Sequence, residues 1–331
     1  MPDFLGRGVL WPTDPVPGFI GTGSAARVAV DAAPIFYVDN GHVLANDDND
    51  GTDPDAPLAT IQAIIDRTAA LAAGTGTRQP VLRDYSVIYV SGDVDEDVVT
   101  DDFTASPSYV SIIGVGPSPY GPRWNGADAD TPSLDLLATG WRVSGFRFIA
   151  KSGAACIELR YFDVANGAAS KCVITGNKFY GFNGLYGIVS HGAPEVEVTY
   201  NIFEAFHNGA TTATCLEVGT TPVTVPKYNY IAHNRFVDCD NGVRWESEGS
   251  FFIGNVLIVA GPGYTMTDVF QTDTVANAGD NNVVTGNLFP GDYSIAGGYR
   301  GGAADVWVGN FADDVAEAEV GDNGITLAVP T

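Results

Sequence analysis

Val173-Ile174-Thr175-Gly176-Asn177-Lys178-Phe179 is the stretch on which the reading of the fold turns. It sets a β-branched strand, then Gly-Asn, then a bulky residue two places after the Asn. The unit returns as Val196-Glu197-Val198-Thr199-Tyr200-Asn201-Ile202-Phe203, as Tyr230-Ile231-Ala232-His233-Asn234-Arg235-Phe236, as Phe252-Ile253-Gly254-Asn255-Val256-Leu257 and as Val283-Val284-Thr285-Gly286-Asn287-Leu288-Phe289. A partial copy ends at Gly309-Asn310, and a divergent earlier copy is Val143-Ser144-Gly145-Phe146-Arg147-Phe148. Asn177, Asn201, Asn234, Asn255, Asn287 and Asn310 are spaced by 24, 33, 21, 32 and 23 residues.

A second strand is interleaved with the first. Its copies are Cys156-Ile157-Glu158-Leu159, Gly187-Ile188-Val189-Ser190, Cys215-Leu216-Glu217-Val218, Gly242-Val243-Arg244-Trp245 and Asp268-Val269-Phe270-Gln271. Ile157, Ile188, Leu216, Val243 and Val269 follow one another at 31, 28, 27 and 26 residues. Two ladders with one average period describe a coil of two or three short strands. Such a coil cannot bury its inner face alone, but coils stacked at about 4.8 Å share one core. The expected fold is all-β: a right-handed, single-stranded parallel β-helix solenoid with coils over residues 81–312. Each ladder Asn should sit at a bend and hydrogen-bond to backbone or to the Asn of the next coil. Phe148, Phe179, Phe203, Phe236, Leu257 and Phe289 should stack inside.

Upstream of the coils, Phe36-Tyr37-Val38-Asp39-Asn40 reads as an opening strand. An acidic turn follows from Asn46 to Asp55, and Thr60–Ala73 as a helix whose stripe is Ile61, Ile64, Ile65 and Leu71, stopped at Gly74. Residues 36–80 would thus close the N-terminal end of the core, as a terminal cap must. The acidic turn lacks the Glu that closes an EF-hand loop and reads as an exposed turn, with a weak Ca²⁺ site as the alternative; no cofactor or metal is expected. Residues 1–35 are rich in Gly and Pro without a period of 2 or 3.6, and read as an extended arm needing a partner surface. Phe4, Leu5, Arg7, Trp11 and Phe19 are its candidate attachment residues. Residues 313–331 form a C-terminal tail.

Composition narrows the partners. The net charge of −24, from 16 Lys and Arg against 40 Asp and Glu, repels nucleic acid and anionic membrane surfaces. There is no apolar run long enough to span a bilayer, and Met1-Pro2-Asp3-Phe4 does not open a signal peptide, so synthesis in a host cytoplasm is expected. Cys156, Cys172, Cys215 and Cys239 lack metal or redox spacing and read as core thiols.

The run from Tyr37-Val38-Asp39 through Asp50-Gly51-Thr52-Asp53-Pro54-Asp55-Ala56-Pro57-Leu58-Ala59-Thr60-Ile61 resembles the opening segment of pectate-lyase-like right-handed β-helix proteins. The Gly-Asn-x-Phe coils resemble that superfamily's asparagine and aromatic ladders over about residues 36–312. Phe4-Leu5-Gly6-Arg7-Gly8-Val9-Leu10 is similar to the start of phage proteins that carry such a β-helix. The resemblance implies the fold, and it implies a side-by-side homotrimer. It is poor for function, because the superfamily spans lyases, glycosidases and phage virion proteins. The polygalacturonase set is absent: Ser190-His191-Gly192 is present, but no Asn-Thr-Asp and no Arg-x-Lys, and Asp47-Asp48, Asp101-Asp102 and Asp313-Asp314 lie off the ladders.

Strand alternation predicts one outward face. Successors of the inward ladder are Glu158, Val189, Glu217, Arg244 and Phe270; two residues on lie Arg160, His191, Gly219, Glu246 and Thr272. Glu217, Glu246, Arg244 and His191 are therefore the candidate catalytic residues. Glu217 and Glu246 would stand roughly 8 Å apart, in the range of an inverting glycosidase. The plainer alternative is a Glu217–Arg244 cross-strand pair on a solvated sheet. His207 and His233 read as structural. Three functions compete: a phage virion structural protein (capsid decoration, head fibre or tail spike) held on the virion surface by residues 1–35; a polysaccharide-degrading lyase or glycosidase; and a non-catalytic module binding a surface glycan.

Overall fold

A computed structural model describes residues 33–312 apart from 77–78, 101–106, 117, 119, 162–168, 208–212, 219–224, 260–265, 273–278, 291–298 and 303. The arm residues Phe4, Leu5, Arg7, Trp11 and Phe19 and the tail 313–331 lie outside the described residues. Three parallel sheets of 10, 8 and 8 strands run along the molecule. The chain visits them in turn: Val173–Thr175 in the first sheet, Lys178–Phe182 in the second, Tyr186–His191 in the third, then Glu197–Thr199 back in the first. This is a parallel β-helix, and every strand pairs with its counterpart one coil away. Ile35–Val38 already pairs with Val87–Val90, so the first rung precedes the helix. Among the described residues no helix is long and apolar enough to cross a membrane.

Short strands suffice because each coil donates one or two inward side chains per strand. Ile112, Val143, Ile174, Val198, Ile231, Phe252 and Val284 fill the first sheet's inner row and are fully buried. In the second sheet Trp124 stacks on Phe148 at 5.2 Å between centroids, Phe148 on Phe179 at 5.0 Å, Phe179 on Phe203 at 4.7 Å and Phe203 on Phe236 at 4.9 Å. The row continues as Leu257 and Phe289, both fully buried. The expected aromatic stack is present and gains Trp124 at its N-terminal end.

The asparagines form a continuous ladder at the corner between the first two sheets. The Oδ1 of Asn201, Asn234, Asn255, Asn287 and Asn310 each accepts from the backbone N–H of the preceding ladder Asn, at 2.8–3.1 Å. Their Nδ2 groups donate to backbone carbonyls, as from Asn234 to Val198 at 2.8 Å. The residue before each Asn turns through the left-handed region, with φ of 66° at Gly176, 56° at Tyr200, 58° at His233 and 63° at Gly254. Tyr200 and His233 tolerate this strain with rings stacked 5.1 Å apart. Gly254 beside them has no such freedom, because a Cβ there would lie 2.7 Å from His233 Nδ1. A second polar ladder, Asn229–Ser250–Asn282–Asp305, supports the corner entering the first sheet. It keeps the spacing of the asparagine ladder, 21, 32 and 23 residues, but changes residue type from rung to rung, and so lacks a repeated signature in the sequence.

The helix Ile61–Ala72 packs Ile61, Ile64 and Ile65 into the common core. Leu71, expected on this stripe, is instead 44% exposed, because the helix buries only its first two turns and Thr68 takes the next inward place. Thr60 caps the helix by accepting from the Ala63 N–H at 3.2 Å. The acidic turn is exposed, and Arg67 ties it down by donating to the carbonyls of Asp47, Asn49 and Asp50. Glu96, from the loop before the third sheet, accepts from the Ile61 and Gln62 N–H groups at 2.6 and 3.1 Å. Burial pushes its carboxyl up to about 7, despite those two donors. A carboxyl raised from about 4.5 unfolded takes up its proton more readily when folded, so its contribution to stability falls as pH rises from about 4.5 to about 7. The melting temperature should therefore climb on acidification from neutral pH to about pH 5, a gain on the order of a few kcal/mol. Glu96→Gln should flatten that slope; an unchanged slope would assign the effect to other groups.

All four cysteines are buried free thiols. Burial pushes Cys172 up to about 12 and Cys156 higher still. Cys215 and Cys239 meet across the interior at 2.8 Å between sulfurs.

Candidate functional site

The outer face of the third sheet carries the polar chemistry. Six of its eight rungs carry it: Leu134–Leu136, Ala155–Arg160, Tyr186–His191, Thr214–Val218, Asn241–Arg244 and Asp268–Gln271. Register aligns Asp135, Glu158, Val189, Glu217, Arg244 and Gln271 in one outward row. Here the sequence reading slips by one residue at the last rung. Val243 pairs with Phe270, not Val269, so Phe270 turns into the core and Gln271 takes the outward place. Thr272 is likewise buried rather than outward, and Gly219 lies outside the described residues.

A cleft of about 370 Å³ opens on this face, with Asp130, Glu158, Arg160, Tyr186, His191 and Glu217 among its lining residues. Its polar groups fall into two linked sets. In the first, Arg160 donates from one Nη2 to Asp135 Oδ2 and Glu158 Oε2, both at 3.0 Å. His191 Nε2 meets the other Glu158 oxygen. Strand pairing explains the cluster: His191 sits opposite Arg160 on the next rung, and Asp135 opposite Glu158 on the previous one. In the second set, Glu217 pairs with Arg244 at 3.7 Å, and Arg244 Nε reaches Asp268 at 3.6 Å.

Environment separates the carboxyls. Burial would raise Glu158, but the His191 hydrogen bond and the Arg160 charge outweigh it and hold the group below its ordinary value. Burial raises Glu217, opposed by Arg244 and reinforced by the negative charges of Glu246 and Asp268. Asp135, 4% exposed, is raised by burial to about 6 against the pull of Arg160. Tyr186 is raised by burial and by the neighbouring Glu217 charge. One face thus holds a carboxylate kept ionised and a carboxyl biased towards its protonated form.

Of the four candidates from the sequence, Glu217 and His191 line the cleft. Arg244 stands behind Glu217 as its ion-pair partner. Glu246, only 4% exposed, lies beyond the end of the Asn241–Arg244 strand and does not line the cleft, so the Glu217–Glu246 pair does not face a common space. Glu158 and Arg160 were legible as outward residues, but not as partners of His191. Asp135 was missed, although Leu134-Asp135-Leu136 shows the apolar-polar-apolar alternation of a rung. Tyr186, two residues before Ile188, also lines the cleft and was not among the candidates from the sequence. His207 pairs with Asp240 at 3.3 Å on the second sheet's edge, away from the cleft.

No protein-family model matches the chain, and no curated protein matches it. Solved structures with a related course exist. An alginate lyase from a Paenibacillus species is 17% identical over 78% of this chain and 95% of its own, at a TM-score of 0.45. The tailspike protein of E. coli bacteriophage HK620, solved with a pentasaccharide, is 12% identical over 87% of this chain and 58% of its own, at 0.49. A pectin methylesterase from carrot is 10% identical over 90% of this chain and 89% of its own, at 0.44. This likeness concerns the coiled architecture, which the strand pairing establishes independently.

Proposed function

We propose that the chain processes a polysaccharide at the third-sheet cleft, with Glu217 as proton donor and Glu158 as the base that activates water. The observation that carries this reading is the opposite displacement of two carboxyls lining one cleft, the arrangement acid–base catalysis requires. Val189 stands between them, so they lie two rungs apart, about 9.6 Å along the sheet, at the upper edge of the spacing that leaves room for a water between an inverting acid and base. Arg160 and His191 keep Glu158 ionised. Glu217 gives its proton to the glycosidic oxygen as the bond from the anomeric carbon to that oxygen breaks, water adds to the same carbon from the opposite face, and Glu158 takes the water's proton.

Screened on bacterial capsular and O-chain polysaccharides, the protein should release new reducing ends. Glu217→Gln and Glu158→Gln should each lower that rate by about 10²–10⁴-fold, and Glu217→Gln should leave the melting temperature unchanged. Wild-type rates in both variants would remove the site. Failure of the wild-type protein across the panel, with binding retained, would favour the non-catalytic glycan-binding module.

The same reading extends to a virion-borne protein, a decoration, fibre or spike, tethered through residues 1–35 and assembled as a side-by-side homotrimer. Its support is that the helix Ile61–Ala72 packs Ile61, Ile64 and Ile65 into the core beside the first rung, so the core has a cap downstream of the arm. The truncated chain should fold and fail to join the particle; incorporation of the truncated chain would sink the tether. Sedimentation of the full chain checks the trimer.

A further inference from the structure

The second sheet's outer face carries a feature that neither the cleft nor the core uses. Register places Arg123 beside Arg147, Arg147 beside Lys178, Lys178 beside Ile202 and Ile202 beside Arg235. Four of the 16 cationic side chains of a chain with net charge −24 thus stand in one row across five successive rungs. Rungs are about 4.8 Å apart, so the row runs roughly 19 Å parallel to the solenoid axis. Arg147 and Arg235 are exposed and form no ion pair among the described residues. Arg123 is held only loosely by exposed Asp93 at 3.5 Å, while Lys178 is neutralised by Glu204 at 2.6 Å. Two aromatic rings flank the row: Lys178 lies 4.7 Å from the Tyr120 ring centre, and Arg147 5.8 Å from that of Tyr180.

The geometry points to this row as a binding surface for a linear acidic polysaccharide, laid along the solenoid axis with its carboxylate or sulfate groups on the guanidinium groups. Guanidinium recognises such oxyanions bidentately, and the exposed Tyr120 ring, with the half-buried Tyr180 ring, offers flat apolar area to the faces of sugar rings. A one-dimensional repeat of charge suits a repeating polymer better than a globular partner. The third-sheet cleft is a weaker competitor, since its Arg160 and His191 are already engaged by Asp135 and Glu158, and Asp130 and Glu217 add negative charge. Nucleic acid, with its denser charge, is disfavoured by the net −24 of the chain. This surface is independent of the cleft chemistry.

Native gels cast with polygalacturonate, heparin or neutral dextran test it on the full chain. The wild-type protein should be retarded by polygalacturonate or heparin and not by dextran, and the retardation should vanish at high salt. The double variant Arg147→Ala/Arg235→Ala should bind about tenfold more weakly, as loss of two charge-assisted contacts implies. Arg147→Lys/Arg235→Lys should retain part of the binding, and Arg142→Ala, on the first sheet, should bind as wild type. Equal retardation of wild type and the double alanine variant, or no retardation by either acidic polymer, overturns the assignment. Tighter binding of a DNA duplex than of either polysaccharide overturns it in favour of a nucleic-acid surface.

Discussion

Asn234→Ala should cost about 4 kcal/mol of stability, the largest loss expected from any single polar truncation in the coils. The side chain is fully enclosed and serves three coils at once. Its Oδ1 accepts from the Asn201 N–H at 3.0 Å and from Asn201 Nδ2 at 3.1 Å. Its Nδ2 donates to the Val198 carbonyl at 2.8 Å and to Asn255 Oδ1 at 3.1 Å. Alanine leaves the Asn201 N–H and the Val198 carbonyl buried without partners, and each such group costs about 1–3 kcal/mol. The damage should be local first: in a solenoid each coil contacts only its neighbours. Urea denaturation together with hydrogen exchange at the Asn201 amide checks this. A loss under about 1 kcal/mol, with that amide still protected, would mean that water replaces the side chain at the corner. Asn234→Asp should fall in between at neutral pH, because it keeps the acceptor and loses the donor to Val198.

Phe203→Ala should destabilise by about 3–5 kcal/mol, the range for emptying a buried aromatic site. Phe203 lies between Phe179 at 4.7 Å and Phe236 at 4.9 Å, with rings tilted by 6° and 7°, and Phe206 lies beside it at 6.3 Å. Gly187 sits against its edge, where a Cβ would come within 2.9 Å of the ring, so that side of the site has no side chain to take up the space. Phe203→Leu should cost much less, because Leu257 already occupies the equivalent rung two coils on and is equally buried. Matched thermal melts of the two variants decide it. If alanine and leucine cost the same, ring stacking rather than volume governs the row.

These two residues also mark what a linear reading can reach. Asn234 and Phe203 were legible because the ladder requires one residue type at one corner of every coil, whatever the loops between do. Repetition along the chain is the imprint of translation along the solenoid axis. The cleft left no such imprint. Asp135, Glu158, Arg160 and His191 come from three coils and share no motif. Register joins them, and register is fixed by the inward residues that each coil buries. Where that signal was ambiguous, at Val269-Phe270, both residues are buried, but the sequence set Val269 rather than Phe270 opposite Val243, and the outward face shifted with it.

The sequence by itself determined the solenoid, the asparagine corner, the internal aromatic stack and the capping helix, because each depends on local pattern repeated at intervals. Only the tertiary structure decided which outward side chains meet, that Glu217 and His191 share a cleft without Glu246, and that Arg123, Arg147, Lys178 and Arg235 stand in one row on the second sheet. Those outcomes depend on loop lengths between rungs, which set how far apart partners lie in the chain and leave their spacing in space almost unchanged.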